Sequence, residues 1–157
     1  MKTKVMSVVC VLALLLTLTA CGGSDSQPQK SAAEIADAIY STQPFQDTLN
    51  AIDSDMLGDY YRIDAADLTD SKVYVSGSFS TAEEIAVFQA SSSDAVENIK
   101  KAIDTRLEDL KLAFENYVPG EMTKINDPVL ITKGTTVVLV LADDTAAVSD
   151  QVNELLK

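Results

Sequence analysis

The sequence predicts an α+β fold, with a four-stranded, mainly antiparallel sheet of two hairpins packed against a long amphipathic helix, a C-terminal helix and N-terminal helices. Two pairs of segments rich in β-branched residues flank one long stretch in which apolar residues recur at helical spacing. The run Val137–Leu141 is apolar on both faces, which is typical of a central strand covered on each side. Residues 31–157 are long enough for one hydrophobic core, so we expect a single domain there.

The first elements after residue 30 are predicted to be helices. Ser31 and Glu34 have the Ser-x-x-Glu spacing of a capping box, which favours a helix that ends near Thr42. Pro44 suits the first turn of a second helix, which Gly58 interrupts. Its apolar residues recur at steps of four, three and four: Phe45, Leu49, Ile52 and Met56.

Two hairpins are predicted from alternating and β-branched patterns. Lys72–Ser78 and Glu84–Ala90 form the first, and Asp127–Thr132 and Thr135–Ala142 form the second. The tight pair Lys133-Gly134 connects the second pair of strands. The order of the strands in the sheet does not follow from the sequence.

The strongest periodic signal predicts one long helix over Ser93–Val118, which Pro119-Gly120 ends. At 1.5 Å per residue this helix would be about 39 Å long, whereas strands of six or seven residues span roughly 20 to 23 Å. A last helix is predicted over about Thr145–Leu156. The apolar stripe of the long helix consists of Val96, Ile99, Ile103, Leu107, Leu110, Phe114 and Tyr117.

The long helix should therefore extend beyond its sheet, which leaves the end of its apolar stripe to be covered. Two interpretations stay open at this point. The N-terminal helices could cover this end through Phe45, Leu49 and Ile52, or the stripe could form a groove for a partner. The candidate binding residues are Arg106, Leu110, Phe114 and Tyr117.

The first 20 residues have the parts of a signal peptide, with Lys2 and Lys4 before an apolar run from Val5 to Leu18. That run is too short for a membrane span, which takes roughly 20 residues. Leu18-Thr19-Ala20-Cys21 resembles the lipobox of bacterial lipoproteins. The resemblance implies cleavage before Cys21, a diacylglyceryl group on its sulfur, and an extracytoplasmic protein held at the outer face of the cell membrane by that lipid. Residues 21–30 are then a flexible tether.

Composition excludes several classes of function. Cys10 would leave with the leader and Cys21 would carry lipid, and the sequence has no histidine, so Cys/His zinc sites and histidine catalysis are excluded. We expect no cofactor. Without Lys2 and Lys4 the mature chain carries 10 basic and 24 acidic side chains, a formal charge of 10 minus 24, or −14. This charge excludes nucleic acid as a partner and predicts repulsion from anionic lipid surfaces.

One segment partly matches a calcium-binding loop. Asp53, Asp55, Gly58 and Asp64 occupy the first, third, sixth and twelfth positions of an EF-hand spacing. Leu57 stands at the fifth position, and the twelfth is Asp where a bidentate Glu is expected. The pattern therefore favours a solvated acidic turn, with Asp64 or Asp67 capping a helix.

Charged residues at two places are candidates for chemistry. Glu83-Glu84, at a strand entrance, could be half of a carboxylate pair, although the sequence does not identify the other half. Arg106 lies beside the apolar stripe, where its guanidinium can reach a carboxylate or Tyr117. We favour a structural ion pair over a ligand contact for Arg106. No catalytic residue and no metal ligand is predicted.

Five short motifs carry a resemblance to a family over about residues 60–156: Tyr61-Arg62-Ile63-Asp64, Glu84-Ile85-Ala86-Val87-Phe88, Arg106-Leu107-Glu108-Asp109, Tyr117-Val118-Pro119 and Lys133-Gly134. In their order and spacing the chain resembles small lipoproteins of Gram-positive bacteria grouped as domain of unknown function 4358. The resemblance implies lipid anchoring outside the cytoplasm and no established activity.

These observations predict a lipid-anchored, extracytoplasmic, non-catalytic binding or adaptor module. Its surface would be the end of the long helix and the adjoining turn from Tyr117 to Pro119, and its partner an envelope protein or other envelope component. The alternative is an accessory subunit or a weak enzyme of cell-envelope modification that uses carboxylates alone.

Overall fold

A computed structural model describes residues 29–157. The signal peptide predicted over residues 1–20, the predicted lipidation site Cys21 and most of the predicted tether lie outside the described residues. Within residues 29–157, no helix combines the length and the apolar character needed to cross a bilayer.

The centre of the fold is one antiparallel sheet of five strands in the spatial order β1-β2-β3-β5-β4. The predicted hairpins are confirmed: β2 pairs with β3, and β4 pairs with β5. The predicted count of four strands is wrong, because a fifth strand, β1, lies at the edge beside β2. The bounds are β1 Leu49–Ile52, β2 Leu68–Ser76, β3 Glu84–Ala90, β4 Val129–Lys133 and β5 Thr136–Leu141.

Strand β1 replaces much of the second predicted helix. Leu49 and Ile52 are three residues apart, which puts them on one face of a helix but on opposite faces of a strand. In the structure Leu49 packs among the residues on one side of the sheet and Ile52 packs on the other. The Tyr40 hydroxyl fixes the start of the strand, since it accepts from the Leu49 N–H at 3.0 Å and donates to the Leu49 carbonyl at 3.3 Å. These tertiary partners outweigh the local helical spacing.

In the part of the chain that the structure describes, five α-helices accompany the sheet, with bounds α1 Ala32–Thr42, α2 Leu57–Tyr61, α3 Ser93–Phe114, α4 Met122–Asn126 and α5 Thr145–Leu155. The predicted capping box at the start of α1 is confirmed. The long helix α3 ends at Phe114, four residues before the predicted end, and α4 was not predicted. Asp64 accepts a hydrogen bond from the Ala66 N–H and caps a short 3₁₀ turn, as the interpretation of an acidic turn predicted.

Helices cover both faces of the sheet, and each face has its own core. The first core lies between the sheet and α3, and it contains Ala86, Phe88 and Leu139. The second core lies between the sheet and the pair α1 and α5, and it contains Val87 and Val138. Strand β5 is buried along its whole length, which confirms the prediction that Val137–Leu141 is a covered central strand.

The two ends of the sheet differ, and we name them the tether end and the glutamate end. At the tether end β3 finishes at Ala90, and Gln89 donates to the Lys30 carbonyl at 2.7 Å. The glutamate end is where β3 begins, at Glu84. Helix α3 starts at the tether end, soon after β3, and runs back to the glutamate end. At 1.5 Å per residue, its 22 residues cover about 33 Å.

Candidate functional site

The glutamate end contains a buried ion pair between Arg106 and Glu84. Glu84 is the first residue of β3 and is 1% exposed, and Arg106 reaches it from α3. The Arg106 Nη2 lies 2.6 Å from Glu84 Oε2, and the Arg106 Nε lies 3.4 Å from Oε1. The hydroxyl of the buried Tyr61 also donates to Oε1. Both oxygens of the Glu84 carboxylate therefore have donors, which is what a buried carboxylate requires.

Aromatic rings complete the surroundings of Arg106. Its guanidinium carbon lies 5.4 Å from the centre of the Tyr60 ring and 5.8 Å from that of Tyr61. Burial acts to lower the pKa of Arg106, but the Glu84 carboxylate more than offsets it, so the pKa lies above its ordinary value. Burial, with the Glu84 charge adding to it, raises the pKa of Tyr61 well above its ordinary value. Tyr61 stays protonated and donates its hydrogen to Glu84.

The ion pair predicted for Arg106 is therefore present, and its carboxylate partner is Glu84. Tyr117, the other partner considered, is instead 81% exposed. Sequence position alone could not select Glu84, because the two residues are 22 positions apart and meet only when α3 folds back along β3. A ligand contact by Arg106 stays a prediction.

Glu83 faces the opposite side of the sheet from Glu84, as successive strand residues do. It is 1% exposed, and its carboxylate accepts from the backbone N–H groups of Gln46 and Asp47 at 2.8 to 3.0 Å. The Thr81 hydroxyl adds a fourth hydrogen bond at 3.1 Å. The two glutamates thus do not face a common site as a catalytic pair would. Glu83 instead holds the segment that precedes β1.

A second buried ionic group lies beside the first and was missed by the sequence analysis. Lys124, which is 3% exposed, donates to Glu121 at 3.0 Å and lies 3.1 Å from Asp143. Glu121 also accepts from the Ala82 N–H at 2.8 Å, and Gln46 donates to Asp143 at 2.6 Å. The spacing of Glu121 and Lys124, three residues apart, was the available signal. No element was predicted between Pro119-Gly120 and the second hairpin, so this spacing was not connected with a helix.

These ionic groups leave little room for a substrate. Every buried side-chain nitrogen and oxygen atom in residues 29–157 has a hydrogen-bond partner. The cavity beside Glu84 and Arg106 has a volume of about 30 Å³, which is roughly the space of one water molecule. The described residues contain no cluster of three or more His, Cys, Asp or Glu side chains suited to a metal ion. The arrangement stabilises the glutamate end and joins its loops.

The loop between β2 and β3 presents an exposed aromatic side chain at this end. Asp47 anchors the loop, since its carboxylate accepts from the Ser76 hydroxyl at 2.5 Å and from the Ser78 N–H and hydroxyl at 2.9 and 2.6 Å. These hydrogen bonds hold the pKa of Asp47 well below its ordinary value. The next residue, Phe79, has a left-handed backbone with φ of 57° and is 70% exposed. Non-glycine residues are uncommon in that region, and such strain concentrates at functional sites.

The remaining candidate binding residues divide into two groups. Leu110 and Phe114 are each 7% exposed and belong to the first core. Their cover includes Ile125, Val118 and Met122, rather than the predicted Phe45 and Leu49, which pack on the other face of the sheet. Tyr117 follows the end of α3 and projects into solvent. A binding role for these residues stays a prediction, and Tyr117 has the most surface to offer.

Phe79 and Tyr117 lie at the same end of the molecule. Phe79 lines the small cavity together with Phe114 and Arg106, and the Tyr117 N–H donates to the Phe114 carbonyl at 3.1 Å. We call the exposed side chains of these two residues the Phe79–Tyr117 surface. It lies at the glutamate end, about the length of α3 away from Lys30.

Fold and site together define a three-layer α+β domain with a closed ionic cluster at one end of its sheet. The family model described as Domain of unknown function (DUF4358) matches residues 42–142, which is more than half of the chain. The chain belongs to this family. The match covers all five strands, α2, α3 and α4, and it includes both ionic groups except for Asp143. It leaves out α5 and nearly all of α1. No curated protein and no solved structure matches the chain.

Proposed function

We propose that this protein is a lipid-anchored, non-catalytic binding or adaptor module at the outer face of the cell membrane, and that an envelope protein is its partner. The lipobox-like Leu18-Thr19-Ala20-Cys21 supports the location and the anchor. The Phe79–Tyr117 surface is the part of the described chain that best suits a protein partner, because exposed aromatic side chains are enriched at binding hot spots.

The observation that carries the proposal is the way in which Phe79 is held. A large apolar side chain that is 70% exposed gains little from burial within its own chain. Its backbone is nevertheless kept in a left-handed conformation by a loop that Asp47 anchors with three hydrogen bonds. A loop whose backbone is held before binding loses less conformational entropy when a partner covers it.

The position of the surface also suits an adaptor. The described chain begins at Gln29, whose side chain donates to the Thr136 hydroxyl at 2.6 Å at the tether end. The Phe79–Tyr117 surface lies at the other end of α3, about 33 Å away by the length of that helix. A domain tethered through Cys21 would therefore direct this surface away from the membrane, where an envelope protein could reach it.

The carboxylate-dependent enzyme is the competing function, and the geometry gives it less support. Its best candidate, Glu84, is bound by Arg106 and Tyr61, and the adjoining cavity holds about 30 Å³. General acid-base catalysis needs a carboxylate within hydrogen-bonding distance of a substrate. A turnover that Glu84→Gln abolishes in a folded protein would favour the enzyme over the adaptor.

Site-specific photo-crosslinking in intact cells tests the proposed surface. A photoreactive phenylalanine analogue would replace Phe79 or Tyr117 in the full chain. Leu112 would serve as the control because it is also a large apolar side chain and is 71% exposed, but it lies on α3. We expect one discrete protein adduct from positions 79 and 117 and none from position 112. Equal adducts at all three positions, or none at positions 79 and 117, would contradict the proposed surface.

A further inference from the structure

A groove of about 810 Å³ lies at the tether end, between the start of α1, the turn between β4 and β5, and the end of α5. Lys30, Lys133 and Lys157 border it. The segment that enters the domain at Gln29 lines the same groove. In a chain with 24 acidic and 12 basic side chains, three lysines around one groove are a local reversal of the overall charge.

The acidic side chains near the groove have their own partners. Glu34 accepts from the Ser31 backbone N–H at 2.8 Å and from its hydroxyl at 3.0 Å, as the carboxylate of the capping box. Glu154 pairs with Lys157. Lys30 donates to the carbonyl oxygen of Leu155 at 2.9 Å, a neutral acceptor. Within residues 29–157 neither Lys30 nor Lys133 forms a salt bridge, so their charges are available to an outside anion.

We propose that this lysine-bordered groove lies against the membrane, where its ammonium groups contact the phosphates of anionic lipid headgroups and orient the domain. The inference rests on the lipid anchor proposed above. Whatever their conformation, the residues that join Cys21 to Gln29 cannot reach further than about 28 Å. The groove is thus the part of the described domain that the anchor keeps closest to the bilayer.

The overall negative charge does not oppose this orientation. Charges in water are screened beyond a Debye length of about 8 Å at physiological salt. The ionic groups of the glutamate end lie about one strand away, roughly 20 Å or more. Acidic side chains that lie more than a Debye length from the bilayer therefore add little repulsion in this orientation. A tethered groove also needs only weak affinity, because the anchor keeps it at a high effective concentration.

Fluorescence quenching by lipid tests the orientation. The full chain, isolated in its native lipidated form, would be placed in vesicles of phosphatidylcholine with or without phosphatidylglycerol, together with a lipid that carries a quencher in its headgroup. A fluorophore would be attached to Thr132→Cys beside the groove or to Asn116→Cys near the end of α3. We expect phosphatidylglycerol to raise quenching at position 132 and to leave it low at position 116.

Charge variants connect that result to the groove. The triple variant Lys30→Gln, Lys133→Gln and Lys157→Gln should lose the effect of phosphatidylglycerol. The ratio of oriented to free domain should fall roughly fivefold for each of the two lysines without a salt bridge, Lys30 and Lys133, and less for Lys157, which pairs with Glu154. All three side chains are exposed, so we expect the thermal unfolding temperature to change little.

A second triple variant, Lys72→Gln, Lys101→Gln and Lys111→Gln, removes the same number of positive charges at positions outside the groove. It should keep the effect of phosphatidylglycerol on quenching. Equal behaviour of the two triple variants, or quenching that does not depend on phosphatidylglycerol, would overturn the inference. The anchor itself is judged separately. A wild-type chain that fails to sediment with vesicles would refute both the anchor and this orientation, whereas an anchored chain without the lipid effect would refute the orientation alone.

Discussion

Arg106 and Glu84 connect the middle of α3 to the first residue of β3 through an ion pair whose side chains are 16% and 2% exposed. Tyr61 supplies a third donor to the same carboxylate. The cost of removing two charges from water is offset only because each polar atom has a partner. The pair therefore fixes how the long helix lies across the sheet, and it does so at the end where the Phe79–Tyr117 surface is presented.

Replacing only one residue of the ion pair should lower the stability of the domain. Arg106→Leu leaves the Glu84 carboxylate buried without its cation, and we expect a loss of about 3–5 kcal/mol in the free energy of unfolding, measured by urea denaturation. The double variant Arg106→Leu/Glu84→Leu should lose much less than the sum of the two single variants, because no unpaired charge remains. Additive losses would show that the two side chains are not coupled.

The edge strand β1 depends on close approach at Gly77. A Cβ atom there would lie 2.7 Å from the Asn50 side-chain nitrogen and 2.9 Å from the Thr48 carbonyl oxygen, and the Gly77 N–H donates to that carbonyl at 3.0 Å. We expect Gly77→Ala to lower the free energy of unfolding by about 1–3 kcal/mol. Gly58→Ala is the control, because it has open space in α2 and should be neutral or stabilising.

Leu110 and Phe114 should act as core residues. Each is 7% exposed, so Leu110→Asp/Phe114→Asp places two charges in the first core and should unfold the domain, with a cost above about 4 kcal/mol. Leu112→Asp on the same helix, at a position that is 71% exposed, should fold with near wild-type circular dichroism. A folded double variant that had lost a partner would instead support a groove along this stripe.

Asp47 should contribute to the acid sensitivity of the domain. Its hydrogen bonds with Ser76 and Ser78 hold its pKa below the ordinary value of 3.8. The folded state thus binds a proton less readily than the unfolded state, so the contribution of Asp47 is present above about pH 4 and is lost as the pH falls further. Asp47→Asn should flatten the fall in stability below pH 4, followed by urea denaturation at each pH. If the stability of Asp47→Asn fell as steeply below pH 4 as that of the wild type, this role would be contradicted.

The parts of the fold that were predicted correctly have local signals. Each of three such signals comes from residues that are close together in the sequence. They are the capping box at Ser31, the apolar stripe on α3, and the pair Lys133-Gly134, whose glycine has φ of 59°. Alternation and β-branched content predicted both hairpins. Such signals are reliable because the period of a buried pattern follows from the geometry of the element itself.

The errors concern partners that are distant in sequence. Leu49 and Ile52 fit a helix by spacing, and only the free edge of β2 and the Tyr40 hydroxyl make that segment a strand. Likewise, Glu83 accepts from Gln46 and Lys124 pairs with Asp143, and both of these partners lie in other segments of the chain. Which side chain pairs with a buried charge depends on the folded structure. A single sequence therefore shows the charged residues but does not identify their partners.

Metabolic labelling with a palmitate analogue is the decisive test of the lipid anchor on Cys21. We expect label on the wild-type chain and none on the variants Cys21→Thr and Cys21→Ala. Cys10→Ser, which changes the other cysteine, should still be labelled. Absence of label on the wild-type chain, or equal label after replacement of Cys21, would contradict the lipid anchor and with it the proposed function.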